Sequence, residues 1–228
     1  MLLPPGLRQL SAIAVVSTFM HLPPIGANAQ EVAAGLPAGT YKIDKYHSTL
    51  FFRADHLGFS HYTASFADFD AELALDPANP AAASLSVTVD VNSLHLNALP
   101  PEGFRETLLG PDWFNAAQFP QITYRSTEIK MTGERTAEVT GELTFLGKTG
   151  PVSLQVTFNG GYPGLPVYDP QARIGFSATG SLNRSDFGLS YGLPPEGSNL
   201  GVGDKVEIVI ETEFSGPPLK ETDGQSTD

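Results

Sequence analysis

From residue 84 the chain reads Ser84-Leu85-Ser86-Val87-Thr88-Val89-Asp90-Val91, apolar at every odd position and polar at every even one. Side chains two apart share one face of a β-strand, so this stretch has one buried and one wet face. The same period returns along the chain. Phe69, Ala71, Leu73 and Leu75 oppose Asp68, Asp70 and Glu72, and Val139, Gly141, Leu143 and Phe145 oppose Glu138, Glu142 and Thr144. Val152, Leu154, Val156 and Phe158 form a further face, then Ile174, Phe176, Ala178, Gly180 and Leu182, then Val206, Ile208, Ile210 and Phe214. Residues 47–56 carry Leu50, Phe52 and Ala54 on one face, with Phe51 and Arg53 opposite. Residues 121–131 are strand-like, but their apolar face switches near Arg125 and Ser126, which predicts a bulge.

Eight strands are therefore expected, in an all-β domain that closes as a sandwich or an eight-stranded antiparallel barrel. A barrel of eight either fills itself with side chains or keeps room for one ligand. The inward positions Ala54, Ala71, Gly141, Ala178 and Gly180 are small, which favours a cavity; set against large residues, the same positions would make a tight core. One connection is too long for a turn. Residues 93–120, between the third and fourth strands, carry nine large apolar side chains, and Pro101 suits the first position of a short helix running to Leu109. Such an excursion is expected to cover one mouth of the barrel, as a functional lid or as a plain plug.

The chain has 228 residues, no cysteine and a net charge of −12. The missing cysteines exclude a disulfide framework, thiolate metal sites and cysteine nucleophiles. Acidity argues against a nucleic-acid partner, which needs clustered Lys and Arg. The apolar run from Leu10 to Met20 is too short to span a bilayer, and Ala27-Asn28-Ala29 offers the small-x-small pattern of a cleavage site. Residues 1–29 are read as a signal peptide whose removal, with Arg8, takes the charge to −13. The mature protein is expected to be periplasmic, without stable membrane insertion, with a barrel domain over 39–215 and a disordered tail over 216–228.

Catalytic patterns are weak. Gly147-Lys148-Thr149 resembles the end of a phosphate loop, but Pro151 and the strand that follows make it a β-turn. There is no Gly-x-Ser-x-Gly elbow and no His-Glu-x-x-His. His47, His56 and His61 cluster in sequence, yet only His56 keeps the inward register and His61 reads as part of a turn, so no metal is expected. The protein is read as a binding protein without catalytic residues.

Tyr41-Lys42-Ile43-Asp44, His47-Ser48 and Leu50-x-Phe52-x-Ala54-x-His56-Leu57-Gly58 are followed by Phe66-x-x-Phe69, Asp112-Trp113-Phe114 and Phe119-Pro120-x-Ile122-Thr123. Then come Gly141-x-Leu143-Thr144-x-x-Gly147-x-Thr149-x-Pro151-Val152, Arg184-Ser185-Asp186-Phe187-Gly188 and Val202-Gly203-Asp204-x-Val206-x-Ile208. In that order these pieces resemble the YceI-like family of exported, lipocalin-like isoprenoid-binding proteins, over residues 39–214. Two positions depart from the family pattern: Ala64 stands where the family often has glycine, and the histidine of the family's Arg-Asp-x-His-Leu is absent around Arg105-Glu106.

The resemblance implies a lipocalin-like barrel with a channel for a long isoprenoid or other lipid tail, such as a polyprenyl phosphate, an isoprenoid quinone or a fatty-acid derivative. No other cofactor is implied. Tail contacts are expected from Leu50, Phe52, Phe69, Leu73, Val87, Val89 and Phe176, with Trp113 and Phe114 from the lid. Arg105 and Arg184 are the best cations for a head group, with His47, His56 and Asp186 to orient it; for Arg184 and Asp186 a structural ion pair at a strand end is the slightly stronger reading. A tail of about 25 heavy atoms at roughly 0.3 kcal/mol each gives a Kd of a few micromolar. The competing readings are a cavity-free envelope-stress interaction protein and an enzyme acting on a lipid-like substrate; a homodimer is compatible with all three.

Overall fold

The computed structural model describes residues 35–219, apart from 97, 98 and 166. The leader expected over 1–29 lies outside the described residues, as does the tail beyond Leu219. Among the described residues there are ten strands: β1 (Gly39–His56), β2 (Ser60–Phe66), β3 (Phe69–Leu75), β4 (Ser84–Asp90), β5 (Leu94–Leu96), β6 (Gln121–Met131), β7 (Thr136–Phe145), β8 (Lys148–Tyr162), β9 (Gln171–Asn183) and β10 (Val202–Pro218). Each pairs antiparallel with its neighbours, and β10 returns to β1. The circuit β1-β3-β4-β6-β7-β8-β9-β10 is a closed eight-stranded barrel, the architecture expected. Closure leaves no unpaired edge in that circuit.

The two extra strands continue circuit strands past a break. β3 pairs with Gly39–Lys42 of β1 and β2 with Leu50–His56, so β2 and β3 are two halves of one strand interrupted at Ala67 and Asp68. β5 continues β4 beyond a 3-10 turn at Val91–Ser93 and pairs with β2. The break explains why β2 escapes the period-two reading. Its buried Ala64 and Phe66 are even, whereas Phe69, Ala71 and Leu73 are odd. His61, expected in a turn, pairs with Asp55 instead.

β1 changes parity in the same way. Tyr41 and Ile43 belong to the core, then a register shift opposite Glu211 and Glu213 loops residues 45–48 out, and Leu50 and Phe52 take over at even positions. Tyr41 is fully buried and its hydroxyl donates to the Pro37 carbonyl at 2.7 Å. A side chain at Gly216 would overlap the Tyr41 ring. Gly216 and Pro217 are thus part of β10 and pack in the fold, correcting the expected start of the tail at 216. The bulge predicted near Arg125 lies between Ser126 and Glu128. Phe145 pairs directly with Lys148, and Leu146 and Gly147 both have positive φ (49° and 74°). This is the two-residue hairpin that the strand twist favours, so Gly147-Lys148-Thr149 is a turn, as expected.

The excursion folds as a short helix, α1 (Phe104–Leu109), entered through Gly103 rather than at Pro101, and a compact turn that buries Leu108, Phe114 and Ala116. The Phe114 ring lies 5.9 Å from Phe52, 5.6 Å from Phe66 and 5.9 Å from Phe145. Arg105 ties the excursion to the wall, donating to the Leu94 carbonyl at 2.9 Å and to the Asn92 carbonyl. An aromatic plug fills this end of the barrel.

Candidate functional site

Toward the other end the interior is hollow. A cavity of about 430 Å³ lies inside the barrel, and all eight circuit strands line it. β3 contributes Phe69, Ala71, Leu73 and Leu75, β8 contributes Leu154, Val156 and Phe158, and β10 contributes Ile210, Thr212 and Phe214. The cavity opens between the β3–β4 connection, where Pro77, Pro80 and Ala83 frame it, and the β6–β7 hairpin, where Met131 and Glu134 reach the surface. Apolar walls without a buried carboxylate or amine suit a hydrocarbon occupant.

The five small inward positions divide into two groups. Ala71 and Ala178 line the cavity. Gly141 and Gly180 do not: the Tyr124 ring occupies the space a side chain at 141 would take, and Leu154 Cδ2 would stand 2.6 Å from a Cβ at 180. Ala54 lies outside the lining as well. Tyr124 is held in place, its hydroxyl set between the carbonyls of Val139 (3.0 Å) and Val152 (3.2 Å), and burial pushes its pKa up to about 12.

At the rim the charged groups are Glu134 and Arg135. Arg135 donates to the carbonyls of Phe158 (2.9 Å) and Asn159 and lies over the Phe158 ring, 5.8 Å from its centroid. These contacts fix the guanidinium beside the opening, against the bulge of β8 between Phe158 and Gly160. Neither residue stood out in the sequence, where both belong to a polar hairpin.

Of the expected tail contacts, Leu50, Phe69, Leu73, Val87 and Phe176 line the cavity. Phe52, Val89, Trp113 and Phe114 do not; they pack in the aromatic half of the core, so the excursion covers the end of the barrel away from the cavity. None of the expected head-group residues lines it. Arg105 is bound to the wall at the plug. His56, expected inward, is exposed at the end of β1 after a register shift. Arg184 is 2% exposed and donates to the carbonyls of Gly203, Leu189, Tyr191 and Val202 at 2.8–3.0 Å, with Trp113 against its face. Among the described residues no ion pair joins it to Asp186, which borders a separate surface hollow with Lys205 and Ser181.

His47 sits in the looped-out part of β1, outside the barrel. Asp44 Oδ2 meets His47 Nδ1 and Arg173 Nη1, each at 3.0 Å, with Glu213 close by. The three potential ligands Asp44, His47 and Glu213 lie within 4.8 Å of one another, but Arg173 already supplies the positive charge. Burial opposes ionisation of Asp44, yet hydrogen bonds from His47 and the Tyr46 amide, with the His47 and Arg173 charges, outweigh it and hold the carboxyl below its usual range. The hydrogen bond to Asp44, and then the Asp44 and Glu213 charges, raise His47 above its usual value. Asp44 therefore stabilises the fold at pH above its unfolded value of about 4 and loses that contribution as pH falls through its lower folded value. His47 contributes fully below its unfolded value of about 6.5 and loses the contribution as pH rises through its raised folded value. Thermal melts from about pH 3 to 9 should show a loss on both sides. His47→Ala should remove part of the alkaline one, and superimposable profiles for the two proteins would refute this assignment.

Fold and site together define a class: closed antiparallel barrels with an apolar cavity open at one end and plugged at the other. The YceI-like domain model matches residues 41–214, and the chain belongs to that family. A UPF0312 protein of Enterobacter sp. (strain 638) is 36% identical over 180 residues, covering 77% of this chain and 86% of that one. Another from Pseudomonas putida (strain GB-1) is 38% identical over 156 residues, covering 67% and 77%. Among solved structures, Burkholderia cenocepacia BcnA aligns with a TM-score of 0.63 at 27% identity, covering 75% of this chain and 98% of that one. A polyisoprenoid binding domain from Saccharophagus degradans, implicated in plant cell wall breakdown, shares the fold with a TM-score of 0.58 at 14% identity, covering 79% and 100%.

Proposed function

We propose that this protein is an exported carrier that holds a long-chain isoprenoid or related lipid in its barrel cavity, for transport, storage or an envelope stress response. The observation that carries the reading is the hollow apolar interior lined by all eight strands. A core built only for stability would fill such a volume, because each empty site forfeits packing energy. Likeness in fold to a barrel described as polyisoprenoid-binding supports the same class of ligand. The titratable groups of the lining, Glu134 and Arg135, stand at the rim, which supports binding over acid–base chemistry. No metal or further cofactor is invoked, and the leader expected over residues 1–29 is taken to direct the protein to the periplasm.

Organic extraction of protein purified from its native envelope compartment, followed by mass spectrometry, tests this. A stoichiometric isoprenoid, quinone or fatty-acid derivative is expected. An empty extract, joined by failure to take up an uncharged dye such as N-phenyl-1-naphthylamine, would favour an interaction protein instead. Trp113 fluorescence is a poor reporter for this purpose, because the residue packs at the plugged end.

A further inference from the structure

We infer that the cavity has a fixed capacity: it admits one chain of about 15 to 18 carbons, tail first, and leaves the remainder of any longer chain outside the barrel. This rests on the carrier reading above and adds a length limit to it. Three observations carry it.

The first is volume. An engineered apolar cavity of roughly 150 Å³ accommodates benzene, or about 25 Å³ per carbon. At that density about 430 Å³ holds close to 17 heavy atoms. This is the size of three isoprene units or a palmitoyl chain, not of the 25-atom tail assumed from the resemblance.

The second is depth. On β3 the lining runs from Leu75 at the rim to Phe69, six steps of about 3.3 Å, or roughly 20 Å along the strand. With strands tilted by about 40° in a barrel of eight, that is some 15 Å along the axis, so a chain that fills the volume lies bent in the hollow rather than extended along the axis.

The third is the floor. On β1, β7, β8, β9 and β10 the lining ends, toward the plug, at Leu50, Val139, Leu154, Ala178 and Ile210. Behind them the next inward layer is filled: the Tyr124 ring takes the space at Gly141 and Leu154 the space at Gly180. The Tyr124 hydroxyl is anchored to two strand carbonyls, and the cluster of Phe52, Phe66, Phe114 and Phe145 lies beyond. A chain reaching the floor meets packed side chains rather than a continuing channel. Its head stays at the rim beside Glu134 and Arg135, where charge is balanced and water is available.

The test is a ladder of saturated monoacylglycerols with acyl chains from 8 to 22 carbons, delivered from cyclodextrin and read by displacement of N-phenyl-1-naphthylamine from the purified protein. Affinity, corrected for cyclodextrin binding, is expected to rise by up to about fourfold per added methylene and to level off at about 15 to 18 carbons, the capacity of the cavity at the same packing density. Ala178→Leu raises the floor and should move the break to shorter chains by about three carbons, the number of heavy atoms it adds. Leu154→Ala lowers the floor and should move the break the other way, so one informative variant remains if the other fails to fold. Affinity still climbing at 22 carbons, or a break unmoved by either substitution, overturns the length limit and leaves the carrier reading standing. Failure of every chain length to displace the dye, or of the dye to bind, overturns both.

Discussion

An Arg184→Ala variant is expected to unfold about 3–5 kcal/mol more easily than the wild type, because several carbonyls lose a charged donor at once, each at a cost of roughly 1–3 kcal/mol where the group stays buried. The guanidinium is 2% exposed and gathers four backbone carbonyls from two segments, Leu189 and Tyr191 on one side, Val202 and Gly203 on the other. Leu189 and Tyr191 lie in a loop and Val202 and Gly203 at the start of β10, and without the fork each carbonyl loses that donor. A buried acceptor left unpaired costs about 1–3 kcal/mol, less where the chain relaxes toward water. Trp113 would also lose the cation over its ring. Lysine should rescue little, because one ammonium cannot address four acceptors in the plane of a fork. Urea unfolding measures the effect directly: at a slope of about 2 kcal/mol per molar, the midpoint should fall by roughly 2 M. Lipid binding by the variant below that midpoint should persist, since the cavity lies in the other half of the barrel. A variant of normal stability that no longer binds lipid would reverse this assignment and make Arg184 a ligand contact.

Filling the cavity should have two opposite effects in one protein. Ala71→Leu combined with Ala178→Leu places six additional carbons against the walls of the hollow. Burying them without displacing packed atoms should add about 2–4 kcal/mol of stability at some 0.8 kcal/mol per carbon, discounted for lost side-chain freedom. The same carbons remove about a third of the room for a chain, so displacement of the dye by palmitoyl monoglyceride should weaken tenfold or more. Gly141→Ala and Gly180→Ala serve as contrasts. They add far less volume, yet each meets an occupied site, the Tyr124 ring or Leu154, and should destabilise by about 1–3 kcal/mol through overpacking. Equal stability changes in both pairs would mean that the hollow is not where Ala71 and Ala178 place it.

Five of the nine expected tail contacts line the cavity and four do not, and the division follows a physical rule. Alternation assigns a side chain to the inner or outer face of its strand; it says nothing of height along the barrel axis. Phe69 and Val89 face inward with equal clarity in sequence, and they pair across β3 and β4, yet one borders the hollow and the other the packed half. Height depends on strand tilt and register, which are properties of the closed sheet. For the same reason Val139, Leu154 and Ile210 were legible as inward residues but not as lining.

The residues expected at a head group lie away from the cavity for a different reason. Arg184 and Arg105 are cations in an acidic chain and invite an anionic partner, but their partners are backbone carbonyls, of a loop at Leu189 and of strand ends at Leu94 and Val202. A carbonyl has no residue type, so no pattern of side chains announces it.

The local sequence by itself determined the period, the number of barrel strands, the bulge after Ser126 and the turn at Leu146 and Gly147, because each follows from dihedral preference or from one wet and one dry face within a few residues. Tertiary structure alone decided which half of the barrel is hollow, that the excursion plugs the other half, and that β2 and β5 extend strands broken by a change of parity. Those outcomes depend on which side chains meet across a closed sheet, and residues far apart in the chain acquire a common height only when the barrel closes.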